Sequence, residues 1–553
     1  MSTAAGRRSH WAWGWEDRLP DLAARRELAM QVGFLLGAAD LAIEEPVPLA
    51  AVALRRSRLA PPPALAVATG DETRIRHTYG RGYPDLVRGF RGDFATAPDG
   101  VATPGSEAEL EAILEWCSAA KVAVIPYGGG TSVVGGVEAR IDEGAYAGAL
   151  SLDLARLAGV REVDPVSRAV RVGAGTTGPA LESHLAAHGL TLRHYPQSFE
   201  FSTVGGWIAT RAGGHFATLG THIDDFVEAL RLVTPTGRWQ SPRLPASGAG
   251  PSPDRLAIGS EGALGVITEA WLRVQPRPRF RAAASLRFAD FAVAVAACRD
   301  LAQSGLHPAN CRLLDGHEAL LGRVAFDGRA VLLLGFESAD HPLGPWLERA
   351  VAIAVAHGGE LAKPPELKEA RPDQAGAGMG GEGGRWREAF LAAPYLQSSL
   401  VSLGVIADTF ETACTWDRFA ALHKAITEAA TAALHRVAGG GLIACRFTHL
   451  YPDGPAPYYT FLARGRSGGE LEQWREVKEA VSEAIVTVGG TITHHHAVGR
   501  LHRPYYDRER PAPFAAALRA AKGALDPAWI LNPGVLVDPA PAGAVASAPA
   551  GGR

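Results

Sequence analysis

The chain has 553 residues, 47% of them hydrophobic and 20% charged, which is long enough for several domains with sizeable cores. Fifty-five basic against 58 acidic side chains leave a net charge of −3, so no global basic field attracts nucleic acid, and no lysine ends a GxxxxGK phosphate loop. Five scattered cysteines without a CxxC pair argue against a disulfide framework or thiolate zinc site and suit a reduced, cytoplasmic compartment, while no apolar stretch is long enough to span a bilayer.

Residues 1–90 mix Trp11, Trp13 and Trp15 with an amphipathic helical run and a Pro61-Pro62-Pro63 break, and read as an N-terminal extension. From 91 to 277 short β-rich runs alternate with helical ones. Strands are predicted at 122–125, 169–172, 229–234 and 265–274 and a helix at 179–188, an α/β or α+β pattern that ends at Pro276-Arg277-Pro278. Residues 278–490 begin again with a strand (283–288), a helix (292–304), a strand (331–336) and a helix (345–357), the order of a separate α+β domain. Gln374 to Gly384 holds six glycines and reads as a mobile loop, and 541–553, rich in Ala, Gly and Pro, as a disordered tail.

The strongest local signal is Pro126-Tyr127-Gly128-Gly129-Gly130-Thr131-Ser132, directly after an apolar strand. Three consecutive residues without Cβ atoms let successive backbone N–H groups converge on one anion, and two hydroxyls add donors, which suits a pyrophosphate; a tight turn is the plain alternative. Gly173-Ala174-Gly175-Thr176-Thr177-Gly178 matches GxGxxG, but no acidic residue ends a second strand about 20 residues on, so it reads as a structural turn rather than a nicotinamide site. Three further segments combine small residues with Ser or Thr donors. They are Pro196-Gln197-Ser198-Phe199-Glu200-Phe201-Ser202-Thr203-Val204-Gly205-Gly206-Trp207, Ala209-Thr210-Arg211-Ala212-Gly213-Gly214, and Gly259-Ser260-Glu261-Gly262-Ala263-Leu264-Gly265-Val266-Ile267-Thr268. Together with the first loop they form the pattern of an extended cofactor laid across one domain.

This order of strings resembles the FAD-binding domain of the vanillyl-alcohol oxidase flavoprotein superfamily, and its wording is most similar to the alkylglycerone-phosphate (alkyl-dihydroxyacetonephosphate) synthase branch. The likeness extends to Trp13-Gly14-Trp15, Cys311-Arg312-Leu313-Leu314-Asp315, Phe410-Glu411-Thr412, Trp416-Asp417-Arg418, Arg446-Phe447-Thr448-His449 and Thr493-His494-His495-His496-Ala497-Val498-Gly499-Arg500. It implies an α+β, two-domain flavoprotein, in which residues 491–540 return to a split FAD domain and 278–490 form a central cap. FAD contacts are placed on 126–132, 196–202, 209–212 and 261–267. No flavinylation segment accompanies the glycine loop, so the FAD is expected to be non-covalent. The implied reaction exchanges the acyl group of an acyl-dihydroxyacetone phosphate for a fatty alcohol through a flavin adduct, in ether lipid synthesis. A small-molecule or lipid-like substrate and a homodimer follow from the same resemblance.

Three consecutive histidines invite a metal reading. On a strand, however, His494 and His496 share one face while His495 points away, and no cysteine or carboxylate sits at ligand spacing, so no metal is expected. The alternative, which the resemblance favours, is that one or two of these rings carry protons at the flavin's active face. Tyr458 and Tyr459 lie in a strand-like run, 457–462, so only one faces the cofactor. The resemblance assigns the acid/base to Tyr459, with Tyr458 opposite. An ordinary phenol titrates near about 10 and needs a neighbouring cation to work at neutral pH. Arg312, at a family arginine, and Arg446, also placed at the substrate, are available. Where the branch carries Tyr-x-Arg-Asp for the substrate phosphate, this chain reads Tyr395-Leu396-Gln397-Ser398. Gln397 donates a hydrogen bond but supplies no charged fork, which keeps an FAD-linked oxidase or dehydrogenase of a 2-hydroxy acid or alcohol open as the second reading.

Overall fold

The structure is a computed structural model that describes residues 6–38, 40–370 and 393–539. The glycine-rich 374–384 stretch and the 541–553 tail lie outside the described residues.

The first sheet runs Val67–Ala68, Gly100–Ala102, Gly148–Asp153, Val122–Tyr127 in spatial order, and its last three strands are parallel. Parallel pairing demands a crossover, and the helix Glu107–Ala120 supplies it. Ser106 starts that helix by accepting from the Glu109 N–H at 3.2 Å, and Lys121 ends it in the left-handed region at φ 53°. Val122, Val124, Leu150 and Leu152 are fully buried or nearly so, as befits strands covered on both faces. The far end of the chain returns to this sheet: the Val124 N–H donates to the Ile530 carbonyl, and the Asn532 N–H to the Val124 carbonyl, each at 2.8 Å. Lys522 locks the return by donating to Asp526 Oδ2 at 2.6 Å and to the carbonyls of Ala263 and Leu531 at 2.7 Å.

A second, antiparallel sheet orders Val160–Asp164, Ala169–Gly173, Val266–Arg273, Val227–Thr234 and Gly237–Gln240. The GxGxxG glycines lie at its edge as packing positions. A Cβ on Gly173 or Gly175 would stand 2.3 or 2.1 Å from a backbone carbonyl oxygen, and the sheet around them is antiparallel rather than a β-α-β unit.

The third sheet has eight antiparallel strands, and its central run is Phe280–Phe288, Ala330–Ser338, Asn310–Leu314, Leu442–Leu450, Pro455–Arg464, Val405–Glu411. Apolar helices pack on one of its faces, where Leu313, Phe447 and Phe419 join one core and Phe410, Tyr459, Phe461, Leu422 and Ile426 another. The opposite face carries the charged groups described below.

Within residues 6–38 and 40–90 the chain contacts both the first and the third sheet. Trp11 and Trp13 are buried in the same core as Tyr83, Phe90 and Phe461, and the Trp13 N–H donates to Ser398 Oγ at 3.0 Å. Arg55 and Arg58 both grip the buried carboxylate of Asp99.

Candidate active site

Pairing register decides which side chains share a face. Tyr458 stands opposite Arg446 on one neighbouring strand and opposite Glu411 on the other, so all three project to the same side of the sheet. Leu314 pairs with Arg446, which places Arg312, two residues away, on that side as well. The next pairs, Tyr459 with Cys445 and Phe410, project to the other side. Between Phe447 and His449 the register slips by one residue, a bulge that aligns His449 with Ala456. Without this bulge His449 would face the apolar layer; with it, the imidazole joins Tyr458.

The 491–499 segment lies over this polar face. Glu411 organises it: the buried carboxylate accepts from Thr493 Oγ1 at 2.7 Å, from the N–H groups of His495 and His496 at 3.1 and 3.0 Å, and from that of His494. Burial alone would raise its pKa, but the three imidazoles and the Thr493 hydroxyl hold it well below the usual carboxylate range. The rings of His495 and His496 lie 5.9 and 5.6 Å from that of Tyr458. His494 Nε2 is 2.8 Å from the Tyr451 hydroxyl, its carbonyl accepts from His222 Nε2 at 2.9 Å, and its Nδ1 lies 3.0 Å from Nδ1 of His495. His449 donates through Nε2 to the Gly214 carbonyl at 3.0 Å, which leaves Nδ1 enclosed as an acceptor without a donor among the described residues. Gly213 permits this closeness, since a Cβ there would lie 3.0 Å from that of His495.

Burial, reinforced by His222 and His495, pushes the His494 pKa well below 6.5; burial also lowers that of His495 and takes His496 to about 3, while Glu411 opposes each shift. These rings are therefore neutral at pH 7, and a buried carboxylate stands ready for the imidazolium that one of them would become. The Arg446 guanidinium lies 3.9 Å from the centroid of the Tyr458 ring and is paired with Glu318. Burial raises the Tyr458 pKa while Arg446 and the hydrogen bond to Thr409 Oγ1, at 3.0 Å, pull it down. Arg312, with no exposed surface, donates through Nη2 to the His215 carbonyl at 3.2 Å.

Two expectations are corrected. Tyr459 does not reach the histidines: its hydroxyl is 3.0 Å from His423 Nδ1, and its ring stacks on Phe410 at 5.0 Å, inside the apolar layer. Tyr458 occupies the polar face in its place, because the strand's register, not its local composition, sets which tyrosine turns inward. Nor do the histidines alternate as on a strand. Residues 494–496 form a bend, so the neighbours His494 and His495 converge and, with His449, offer ring nitrogens within 4.8 Å of one another. Glu411, His449, His222 and Tyr451 carried no assigned role in the sequence. Glu411 and His449 stand inside recognised strings, but only the register, the bulge and the fold of 491–499 reveal what they do.

Gln397 lies elsewhere, donating through Nε2 to the Ala407 carbonyl at 3.2 Å. The residues expected at FAD divide into two groups. Glu200 binds Trp15 Nε1 at 2.8 Å and Arg18 at 2.9 Å, Arg211 pairs with Asp224, the Tyr127 hydroxyl donates to the Arg76 carbonyl, and Phe199 stacks on Trp207. Val266 and Ile267 point into apolar cores, and Trp207 Nε1 donates to Ser202 Oγ at 2.7 Å. The other group supplies close backbone approach. A Cβ on Gly128 would stand 2.4 Å from Thr203 Oγ1, one on Gly129 2.1 Å from the Phe201 carbonyl oxygen, and one on Gly262 2.6 Å from Pro126; Gly130 has φ +64°. Glu261 accepts from the Val498 and Gly499 N–H groups at 2.9 and 3.0 Å, its own N–H donates to the Ala209 carbonyl, and Asn532 Nδ2 bridges the Glu261 and Gly136 carbonyls. The four segments thus meet one another and the 491–499 segment.

A dinucleotide needs donors and acceptors that the protein has left open. Among the described residues no backbone acceptor faces the N–H groups of 129–132, and Ser260 Oγ and Asn532 Oδ1 are buried without a partner. Such a cradle fits FAD: a nest for its diphosphate and small residues along its length.

Comparison with known proteins agrees. Residues 98–241 match the FAD binding domain family and 277–536 the C-terminal domain of FAD linked oxidases. The chain is 32% identical over 492 residues to the alkyldihydroxyacetonephosphate synthase of Caenorhabditis elegans, covering 85% of this chain and 82% of that one. It is 30% identical over 476 residues to the synthase of Dictyostelium discoideum, covering 84% and 77%. A solved alkyldihydroxyacetonephosphate synthase structure superposes with a TM-score of 0.77 at 23% identity, over 95% of this chain and 98% of that one. The chain belongs to the alkyldihydroxyacetonephosphate synthase family and is an FAD-dependent enzyme.

Proposed function

We propose that this enzyme exchanges the acyl group of an acyl-dihydroxyacetone phosphate for a fatty alcohol, the reaction that the sequence resemblance implies; relatives named alkyldihydroxyacetonephosphate synthase support this reading. The observation that carries the reading is the shared face of Tyr458, Arg446, Arg312 and Glu411 with the neutral His494 and His495 folded over it. Bound FAD supplies a ring able to act as nucleophile and as electron sink. The protein's own work is proton handling. The C1–O bond to the acyl group breaks and the carboxylate leaves with that oxygen; a C1–O bond to the alcohol forms as the alcohol loses its hydroxyl proton. The products are an alkyl ether and a fatty acid, with no net oxidation. His495, neutral and beside Glu411 at 3.6 Å, is placed to take a proton, and Tyr458, with Arg446 against its ring, to exchange one.

The sequence carries one other reading, oxidation of a 2-hydroxy acid or alcohol, because Gln397 stands where the resemblance implies a phosphate-binding arginine. Purified holoenzyme distinguishes the two. Release of fatty acid that depends on added fatty alcohol, without anaerobic bleaching of the flavin by 2-hydroxy acids, supports the exchange; bleaching without fatty acid release replaces it. The free state of Cys117, Cys298, Cys311, Cys414 and Cys445 supports a reducing, cytoplasmic location, and the family resemblance a homodimer, which fluorescence microscopy of a tagged chain and light scattering test directly.

A further inference from the structure

Beside the glycine loop, Arg8 and Arg81 have no carboxylate partner among the described residues. Arg8 reaches across the glycine loop: Nη1 donates to the Gly129 carbonyl at 2.9 Å, the guanidinium lies 4.8 Å from the centroid of the Phe201 ring, and Nε and Nη2 are enclosed without an acceptor among the described residues. Arg81 is 4% exposed. It donates to the carbonyls of Gly80 and Ser9 at 2.6 and 3.2 Å, its N–H donates to the Ser132 carbonyl at 2.6 Å, and its Nε has no acceptor. Burial and the charge of Arg8 push the Arg81 pKa down to about 10. By contrast, Arg446 is paired with Glu318 and Arg88 with Glu138. Two cations beside a loop whose own N–H groups lack acceptors form a concentration of donors with nothing to receive them, and low-dielectric surroundings make that arrangement unfavourable unless an anion completes it.

The segment that carries Arg8 is held from both sides. Arg76 donates to the Arg8 carbonyl, Trp15 Nε1 binds Glu200, and the Trp13 N–H binds Ser398, so residues 8–15 are tied both to the 196–203 segment and to the helical stretch at 393–402. We propose that Arg8 is a direct ligand of the FAD diphosphate, donating from Nε and Nη2, with Arg81 behind it as a second counter-charge, and that the 8–15 segment is a strap retaining the cofactor. The inference rests on FAD being bound at the glycine loop. It assigns a cofactor role to the part of the chain that precedes the FAD-binding domain.

The test uses full-length protein stripped of flavin and titrated with FAD and with riboflavin, followed by flavin fluorescence. Arg8→Ala is expected to weaken FAD binding about 10- to 100-fold, the loss of a hydrogen-bonded ion pair, with Arg8→Lys recovering part of it. Riboflavin, which lacks the diphosphate, should bind wild type and Arg8→Ala alike. FAD affinity in Arg8→Ala should also fall less steeply with added NaCl. Equal losses for both flavins, an unchanged salt dependence, or no loss for FAD would each overturn the proposal. If Arg8→Ala fails to fold, Arg8→Gln read by the same salt dependence decides it. Wild-type protein that takes up no FAD would instead sink the placement of the cofactor at this loop.

Discussion

Tyr458 and Tyr459 are consecutive residues on one strand, 5% and 0% exposed, and their surroundings share almost nothing. On one side Tyr458 meets a guanidinium, a threonine hydroxyl and two imidazole rings. On the other, Tyr459 meets Phe410, Phe461, Leu422 and a single histidine, His423. Burial raises both phenols, but only Tyr458 has a cation whose charge works against that rise. Burial and residue type alone would pick Tyr459, the more enclosed of the two; what separates them is whether charge and proton acceptors have been brought to the same place.

Substitution should split the pair most widely. Tyr458→Phe is expected to lower kcat by about 10²- to 10⁴-fold, the range for losing a general acid or base, while flavin content stays at the wild-type level. Tyr459→Phe should leave turnover within about twofold, since its hydroxyl meets His423, on the side of the sheet away from the polar face. A steady-state assay with flavin absorbance checks both, and a reversed order would return the acid/base role to Tyr459. Glu411→Gln comes next. The amide cannot accept all the N–H groups that converge on the carboxylate, and its loss removes the charge that raises the imidazole pKa values, so activity should fall about 10- to 100-fold, the size of losing a partner that orients a histidine. The acid limb of the pH–rate profile should move to lower pH in that variant, and movement the other way would contradict the charge assignment.

Acid stability is a smaller effect of the buried histidines. His496 and His502 are held neutral, burial taking their pKa values to about 3 and about 4 from 6.5. A depressed folded pKa contributes stability that is complete above 6.5 and is lost as pH falls from there towards about 4 for His502 and about 3 for His496, because the unfolded chain takes up the protons first. Thermal midpoints should therefore fall across that window, and His502→Gln should flatten the fall. An unchanged slope would show that His502 is not among the groups responsible.

Much of the fold was legible before any coordinates. The alternation of β-rich and helical runs places the strands Val122–Tyr127, Ala169–Gly173 and Ala330–Ser338 to within a few residues, and period-two burial predicts that one tyrosine of the pair faces the site. Which one is not a local property. It follows from Arg446 and Glu411 lying opposite Tyr458 on strands 12 and 47 residues away, a register set by the packing of whole layers. His449 escaped because one extra residue at a bulge inverts the parity that sequence reasoning assumes. The histidine run reads as a strand in the sequence, whereas the bend at 494–496 depends on Glu411, far away in sequence, gathering their N–H groups. Glycine motifs are legible because close backbone approach leaves a local signature; a polar face shared by several strands leaves none.

The smallest effect belongs to the stability of the apolar side. Tyr459→Phe removes a hydroxyl from a fully enclosed position and with it the contact to His423 Nδ1 at 3.0 Å. The ring's own burial and its stack on Phe410 survive the change, so only a hydrogen bond is lost, and the cost should be about 1 kcal/mol. Part of that loss is the desolvation of a ring nitrogen left unmatched, so removing both partners should cost less than the sum of the single changes. Burial already lowers the His423 pKa, so this is a neutral pair and the cost should not vary between pH 7 and 8. Denaturant unfolding of Tyr459→Phe, His423→Leu and the double variant tests this through a coupling energy between the two residues. A coupling near zero would mean that the hydroxyl contributes nothing through His423. Tyr459 would then act through its ring alone, a purely apolar residue beside a reactive one.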